Sequence, residues 1–295
     1  MNENEFLLLD RVAKIKSIIY QYGIDNFYIS FSGGKDSTVL SWLIDYAIPW
    51  NEIPRVYANT GIELNMIKNF VEELAKKDKR IHIIKPSVPI KQMLEEEGYP
   101  FKSKEHAHWV WLFKKFGTIE GHTGLQHYLD KHEKQWCAQF RCPKKLLYQF
   151  EDDFKIKLSD HCCIKMKEEP LIQWSKKNKK PYYITGLRRA EGGRRRNANC
   201  LTFSGKKLKT FQPLSVVSDE WEEWLIETYN IKICDIYKPP YNFKRTGCKG
   251  CPFARDLQKE LEALEEFFPA ERKQCEYIWK PIYDEYRRIG YRLKK

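Results

Sequence analysis

The chain has 295 residues, enough to bury a sizeable core in one large or two small domains. It carries no apolar run long enough to span a bilayer and begins Met1-Asn2-Glu3-Asn4-Glu5, acidic and polar, so neither a membrane span nor a signal peptide is expected. A formal net charge of +12 with nine Trp and seventeen Tyr suits a polyanion or nucleic-acid surface, the plainer alternative being a solvated basic surface with lysines for an anionic substrate. Nine cysteines without an export signal argue against a disulfide framework and for metal or redox chemistry in a reducing, cytoplasmic compartment.

Residues 5–22 repeat apolar side chains at helical spacing, with Phe6, Leu7, Leu9, Val12, Ile15, Ile18 and Ile19 on an apolar stripe. The stretch Phe27 to Leu40 then reads as a short apolar strand, a glycine turn and a helix start. Between Ser30 and Thr38 the unpaired backbone N–H groups and the positive end of a helix face one spot, which stabilises a phosphate there. Gly33 and Gly34 let the backbone approach, Lys35 adds a charge, and Ser32, Ser37 and Thr38 supply hydroxyls. A Walker A loop is excluded, because Lys35 is followed by Asp36 and the upstream glycine is missing. The segment Ser32-Gly33-Gly34-Lys35-Asp36-Ser37 resembles instead the phosphate loop of the PP-loop ATP pyrophosphatases, in which a nucleophile attacks the α-phosphorus and pyrophosphate leaves.

A helix over Thr38–Tyr46, a strand at Arg55–Ala58, a helix over about Leu64 to Lys76 and a strand at Ile81–Ile84 follow. This βα alternation predicts a parallel sheet, whose ligands sit at the carboxyl ends of its strands. That rim holds Asn59, Thr60 and Gly61, which resemble the D-T-G segment of the sulfonucleotide reductases, with Asn59 in place of Asp. Residues 88–160 are less regular and read as a helical insertion. His106, His108, His122, His127 and His132 show no metal-site pattern with Cys137 or Cys142 and read as surface or packing residues. Lys102, Lys104, Trp109, Trp111 and Phe113 mix basic and aromatic side chains, which suits stacking on bases and equally a half-buried amphipathic helix.

Further on come Cys162-Cys163, a strand at Tyr182–Gly186, a basic loop from Leu187 to Arg196, and Phe211-Gln212-Pro213-Leu214. A helix near Asp219, Trp221 and Trp224 precedes Gly247-Cys248-Lys249-Gly250-Cys251-Pro252. Cys162, Cys163, Cys248 and Cys251 make a four-thiolate set suited to zinc or an iron–sulfur cluster. A zinc ribbon uses two C-x-x-C knuckles and an adjacent pair cannot form one, which favours [4Fe-4S] with zinc as the alternative.

The ordered series Cys162-Cys163-x-x-x-Lys167-x-x-Pro170, Thr185-Gly186-x-Arg188-Arg189-x-Glu191-x-x-Arg194, Pro213-Leu214 and Gly247-Cys248-x-x-Cys251-Pro252 resembles the phosphoadenosine-phosphosulfate and adenosine-phosphosulfate reductase family over roughly residues 25–255. The resemblance implies an adenine nucleotide alpha hydrolase-like fold, a cluster on Cys162, Cys163, Cys248 and Cys251, and Arg188, Arg189 and Arg194 facing the anionic end of a nucleotide beside Gly186. Two departures stand out. The E-C-G-L-H tail that carries the reductases' nucleophilic cysteine is missing, the last cysteine being Cys275 in an apolar helical pattern, and the phosphate loop is intact where those reductases usually alter it. An intact pyrophosphatase loop beside a Cys-Cys/C-x-x-C set is similar to the DndC-type proteins of DNA phosphorothioation and to iron–sulfur tRNA thiolases.

The sequence therefore predicts an α/β chain with a parallel sheet flanked by helices. Residues 1–230 form the nucleotide-binding domain, including the 88–160 insertion, and residues 231–295 a C-terminal cysteine-bearing extension. On this reading it is expected to bind ATP with Mg²⁺ and to adenylate an acceptor for sulfur transfer, with Lys35, Asp36, Arg188 and Arg194 acting at the phosphates. The expected partners are an adenine nucleotide and either nucleic acid or a sulfur-carrier protein or cysteine desulfurase. The rivals are a sulfonucleotide reductase using Cys275 and a non-catalytic binding component. The acceptor and the roles of Cys137, Cys142, Cys200, Cys234 and Cys275 are not written in the sequence.

Overall fold

The computed structural model describes residues 2–117, 120–129, 141–244 and 246–294, without the side chain of Arg194. His132 and Cys137 lie outside the described residues. The chain divides into two compact units, Met1–Pro86 with Glu168–Thr246, and Ser87–Lys167 with Gly247–Lys295. This differs from the division expected at residue 230: the irregular 88–160 stretch shares a unit with the C-x-x-C segment rather than belonging to the phosphate-loop unit.

The first unit opens with α1 (Glu3–Tyr22), which starts in a capping box. The Asn2 side chain accepts from the Glu5 N–H at 2.9 Å and the Glu5 carboxylate accepts from the Asn2 N–H at 2.8 Å, satisfying two otherwise orphaned donors. Strands β1 (Phe27–Ser30), β2 (Arg55–Ala58) and β3 (Ile81–Ile84) alternate with α2 (Lys35–Ala47) and α3 (Asn65–Lys77). The helix after the phosphate loop begins at Lys35 rather than Thr38, with Gly34 as its N-cap. Val39, Leu40, Leu43 and Ile44 of α2 are fully buried, each contributing about 1.5–3 kcal/mol of apolar burial.

In the second unit, α4 (Ile90–Glu97), α5 (Lys104–Phe116) and α6 (Thr123–Leu129) give the expected helical character. Ser103 caps α5 by accepting from the His106 N–H. His106 packs with no exposed surface, while His108 and His161 pair with Asp160 and Glu97 at 3.3 and 2.8 Å. A short helix α7 (His161–Cys163) runs into a π-helical turn, Ile164–Glu168, an insertion geometry frequent at functional sites.

Back in the first unit, α8 (Glu169–Lys177) leads to β4 (Tyr182–Ile184), then β5 (Leu201–Ser204), β6 (Lys207–Phe211) and α9 (Asp219–Thr228). The six strands form one sheet in the order β3-β2-β1-β4-β6-β5, parallel except for β5 against β6. This is the helix-flanked parallel architecture expected of an adenine nucleotide alpha hydrolase-like chain. The β5–β6 hairpin was not among the sequence expectations, although Lys207-Leu208-Lys209-Thr210 alternates in and out with period two, a strand signal. From β1 the order runs through β2 to β3 on one side and to β4 on the other, so a crevice opens at the carboxyl ends of β1 and β4. The second unit ends in α10 (Leu257–Phe267) and α11 (Pro269–Ile289).

Candidate functional site

The crevice at the β1/β4 switch point is where the phosphate loop lies. Gly33 has φ +71°, and a Cβ there would stand 2.5 Å from Val71 Cγ2 of α3, so the turn tolerates no side chain. The Ser32 hydroxyl lies 3.0 Å from Ser37 Oγ and accepts from the Gly34 N–H at 3.3 Å, while the Ser37 and Thr38 hydroxyls both donate to the Gly34 carbonyl at 3.0 Å. The hydroxyls read as phosphate donors thus brace the loop in this state. From the other side, Gly186 follows β4 so closely that a Cβ on it would lie 2.7 Å from the Asp36 carbonyl oxygen. The loops after β1 and β4 therefore interlock through main chain.

Arg188 crosses this junction. It is only 4 % exposed, donates to the Asp36 carboxylate, and pairs with Asp219 at 2.7 Å and Glu222 at 3.2 Å. Lys35 Nζ reaches the same Glu222 oxygen at 3.2 Å. Burial works against the Arg188 charge, but Glu222 and Asp36 outweigh it and hold the guanidinium above its usual pKa. Glu222 is fully buried. Its ion pairs lie off the hydrogen-bond axis, so neither carboxylate oxygen has a well-directed donor. Burial first, and the Asp36 charge second, push its carboxyl up to about 7 despite Arg188 and Lys35.

A cavity of about 530 Å³, lined by Lys35, Asp36, Arg188, Asp219, Tyr237 and Lys244 among others, opens on one side of Asp36. A second, of about 270 Å³, is lined by Ser30, Ser32, Asp36, Ser37, Gly186 and Arg195. Tyr237 closes over the glycine turn: a Cβ on Gly34 would lie 3.1 Å from its hydroxyl, which bonds Thr246 Oγ1 and is pushed up to about 12 by burial.

The structure gathers Ser30, Ser32, Gly33, Gly34, Lys35, Asp36, Ser37, Thr38, Gly186 and Arg188 at this crevice. Asn59, Thr60 and Gly61 share the rim but close on themselves. Thr60 N–H and hydroxyl donate to Glu63 at 3.1 and 2.6 Å, and the Gly61 N–H donates to Asn59 Oδ1 at 3.0 Å. Arg189, expected at the nucleotide, is exposed and spends its Nε on the Ala198 carbonyl at 2.6 Å. The Arg194 side chain lies outside the described part. Sequence reasoning missed Glu222, whose signal was a carboxylate on the buried face of α9 between Trp221 and Leu225, where it must meet cations. It also missed Asp219 as a partner for Arg188.

In the second unit the four predicted cysteines feel one another. The hydrogen bond to Cys163, then burial, then the charges of Cys163, Cys251 and Cys248 raise the Cys162 thiol far above its usual range. Cys163, accepting that bond and facing Lys104 and Lys167, is lowered to about 6. Burial and then Cys248 raise Cys251. An all-sulfur donor set matches the chemistry of a thiolate-held group, although among the described residues no three His, Cys, Asp or Glu side chains are gathered for a single metal ion. The C-x-x-C loop is strapped to the terminal helices. Trp279 donates to the Lys249 carbonyl at 3.0 Å, Tyr283 to the Gly250 carbonyl and Tyr286 to the Pro252 carbonyl at 2.9 Å. The Gly250 N–H donates to Glu260 at 2.8 Å, and buried Lys249 pairs with Glu271 at 3.0 Å.

Outside this quartet, burial raises the thiols of Cys142 to about 11 and Cys275 to about 12, and lifts Cys200 and Cys234 as well. Cys275 is fully buried, its sulfur packed beside Gly250. No helix among the described residues is long and apolar enough to cross a membrane.

Comparison with known proteins adds a family. The family described as phosphoadenosine phosphosulfate reductase domain matches residues 26–141 and 118–254. An uncharacterized Methanocaldococcus jannaschii protein is 26 % identical over 275 residues, 88 % of this chain and 51 % of the relative, so the chain spans about half the length of the curated relative it matches. Among solved structures, phosphoadenylyl-sulfate reductase from Candida auris is 14 % identical with a TM-score of 0.44, covering 78 % of this chain and 86 % of its own. The U34-tRNA thiolase NcsA from Methanococcus maripaludis, solved with its [4Fe-4S] cluster, is 14 % identical with a TM-score of 0.40, covering 94 % and 79 %.

Proposed function

Because the chain belongs to the phosphoadenosine phosphosulfate reductase domain family, we propose that its phosphate-loop unit binds ATP and cleaves it to AMP and pyrophosphate, adenylating an acceptor for sulfur transfer to a nucleic acid. The observation that carries this reading is the unaltered Ser32–Ser37 loop, folded at the switch point with Lys35 and Arg188 facing a cavity beside it. An acceptor oxygen attacks the α-phosphorus and the bond to the β-phosphate oxygen breaks. The electron pair leaves with pyrophosphate. Lys35, Arg188 and the amino end of α2 stabilise the charge that grows on the phosphate oxygens. Asp36 fixes Arg188 by accepting its Nε–H and would help hold a Mg²⁺ ion, which when bound would neutralise charge on the leaving group. Arg194 is assigned to the α-phosphate on its motif position alone.

Cys162, Cys163, Cys248 and Cys251 would hold a [4Fe-4S] cluster, which when bound supplies iron able to take up sulfur. The sulfur donor on this reading is a sulfur-carrier protein or cysteine desulfurase, in the cytoplasm. The reductase alternative needs a reactive thiol outside the quartet, and each described one is buried or raised. Pyrophosphate release from ATP tests the reading: Lys35→Ala should lose at least about a hundredfold in rate with an unchanged circular dichroism spectrum. Unchanged turnover in that variant would end it.

A further inference from the structure

We infer that filling the Lys35–Arg188 site with a nucleotide triphosphate draws a proton onto Glu222. The inference rests on the nucleotide reading of that site and adds a linkage to it.

Glu222 stands behind the site rather than in it. It has no exposed surface, and its Oε2 lies 3.2 Å from both Lys35 Nζ and Arg188 Nη2. The charged groups facing it are Lys35 and Asp36 from the first turn of α2 and Arg188 from the loop after β4, with Asp219, one turn earlier on α9, held on Arg188. Lys35, Asp36, Arg188 and Asp219 all line the 530 Å³ cavity. The two cations that a triphosphate needs are thus the two that keep Glu222 ionised.

A triphosphate entering that cavity acts on Glu222 twice, in one direction. Its negative charges lie beyond Lys35 and Arg188 and raise the cost of a second anion close by. It also competes for the Lys35 ammonium, and each loosening of that pair leaves fully buried Glu222 with less compensation. Arg188 does not restore the balance, because Asp36 and Asp219 already claim two of its faces. With the carboxyl already at about 7 in the free protein, a further rise brings protonation into the neutral to mildly alkaline range. The neutral acid then donates where the anion could only accept.

The test is calorimetric titration with α,β-methylene ATP and magnesium, which cannot be cleaved at the α–β bridge. It is run at pH 8 in buffers of different ionisation enthalpy. The wild type should take up on the order of half a proton or more per nucleotide bound, and Glu222→Gln close to none. Should that variant not fold, the wild type alone decides: its Kd should rise with pH between 7.5 and 9, by up to about tenfold per pH unit. Binding without proton uptake and with a flat Kd, or equal uptake by Glu222→Gln, would overturn the inference alone. Absence of any binding heat would overturn the nucleotide reading and the inference with it.

Discussion

Arg188 donates its Nε–H to the Asp36 carboxylate across the switch point of the sheet, tying the loop after β4 to the first turn of α2. This pair, with Glu222 behind it, makes the charge arrangement of the crevice part of the fold as well as part of a binding site.

Removing the guanidinium should therefore unfold more than a loop. Arg188→Ala leaves Asp36 and Glu222 facing one another with only Lys35 between them, and should cost about 3–5 kcal/mol by denaturant titration. The loss should shrink below pH 7, where Glu222 takes up a proton. Asp219 is 61 % exposed, and Asp219→Asn should stay within about 1 kcal/mol. Equal losses for the two would contradict a stabilising role for the buried Arg188–Glu222 pair.

For the cysteine quartet, anaerobically purified protein should be brown with broad visible absorbance. Cys162→Ser, Cys163→Ser, Cys248→Ser and Cys251→Ser should each bleach it, and Cys200→Ser and Cys234→Ser should not. Colourless protein with one stoichiometric zinc would return the site to a zinc fold.

Cys275 separates thiolation from reduction. Because it is fully buried with its thiol raised to about 12, Cys275→Ser should keep pyrophosphate release. The wild type should release no sulfite from adenylyl sulfate or its 3′-phosphorylated form with thioredoxin. Sulfite release abolished by Cys275→Ser would establish the reductase.

His106 sets an acid limit on the second unit. Burial, helped by Lys102, lowers its pKa from 6.5 to about 4 against the hydrogen bond with Gln149. Nε2 donates to Gln149 Oε1 at 2.6 Å and Nδ1 accepts from Tyr128 at 2.8 Å, which fits the neutral ring. Between pH 6.5 and 4 the unfolded chain binds a proton that the folded chain refuses, so stability falls as pH drops through that window and is level above it. His106→Gln should remove a slope on the order of 2–3 kcal/mol across it, read from denaturant titrations at pH 7, 5.5 and 4.

Much of the first unit was legible because its signals are local. The Ser32–Ser37 turn sits between a strand and a helix, and the apolar runs at Arg55–Ala58 and Ile81–Ile84 are bounded by turns. What was hidden depends on which side chain meets which. Asp219 and Glu222 carry only the local signal of acidic residues near a helix start, and nothing in the sequence names Arg188 as the group α9 turns them toward. Arg189 shares its motif with Arg188 yet turns to the Ala198 carbonyl, because Arg188 is extended whereas Arg189 opens a short 3-10 turn, Arg189–Glu191. The unit boundaries were hidden too, since 87–167 and 247–295 join only through tertiary contact.

The strapping of the C-x-x-C loop carries a consequence for biosynthesis. The carbonyls of Lys249, Gly250 and Pro252 find their donors on residues 279, 283 and 286, which a ribosome makes some thirty residues after the loop itself. All four thiols emerge before the helix that fixes two of them. A nascent chain thus presents Cys248 and Cys251 on a slack segment, and whatever loads this site meets its finished shape only after translation has passed Tyr286.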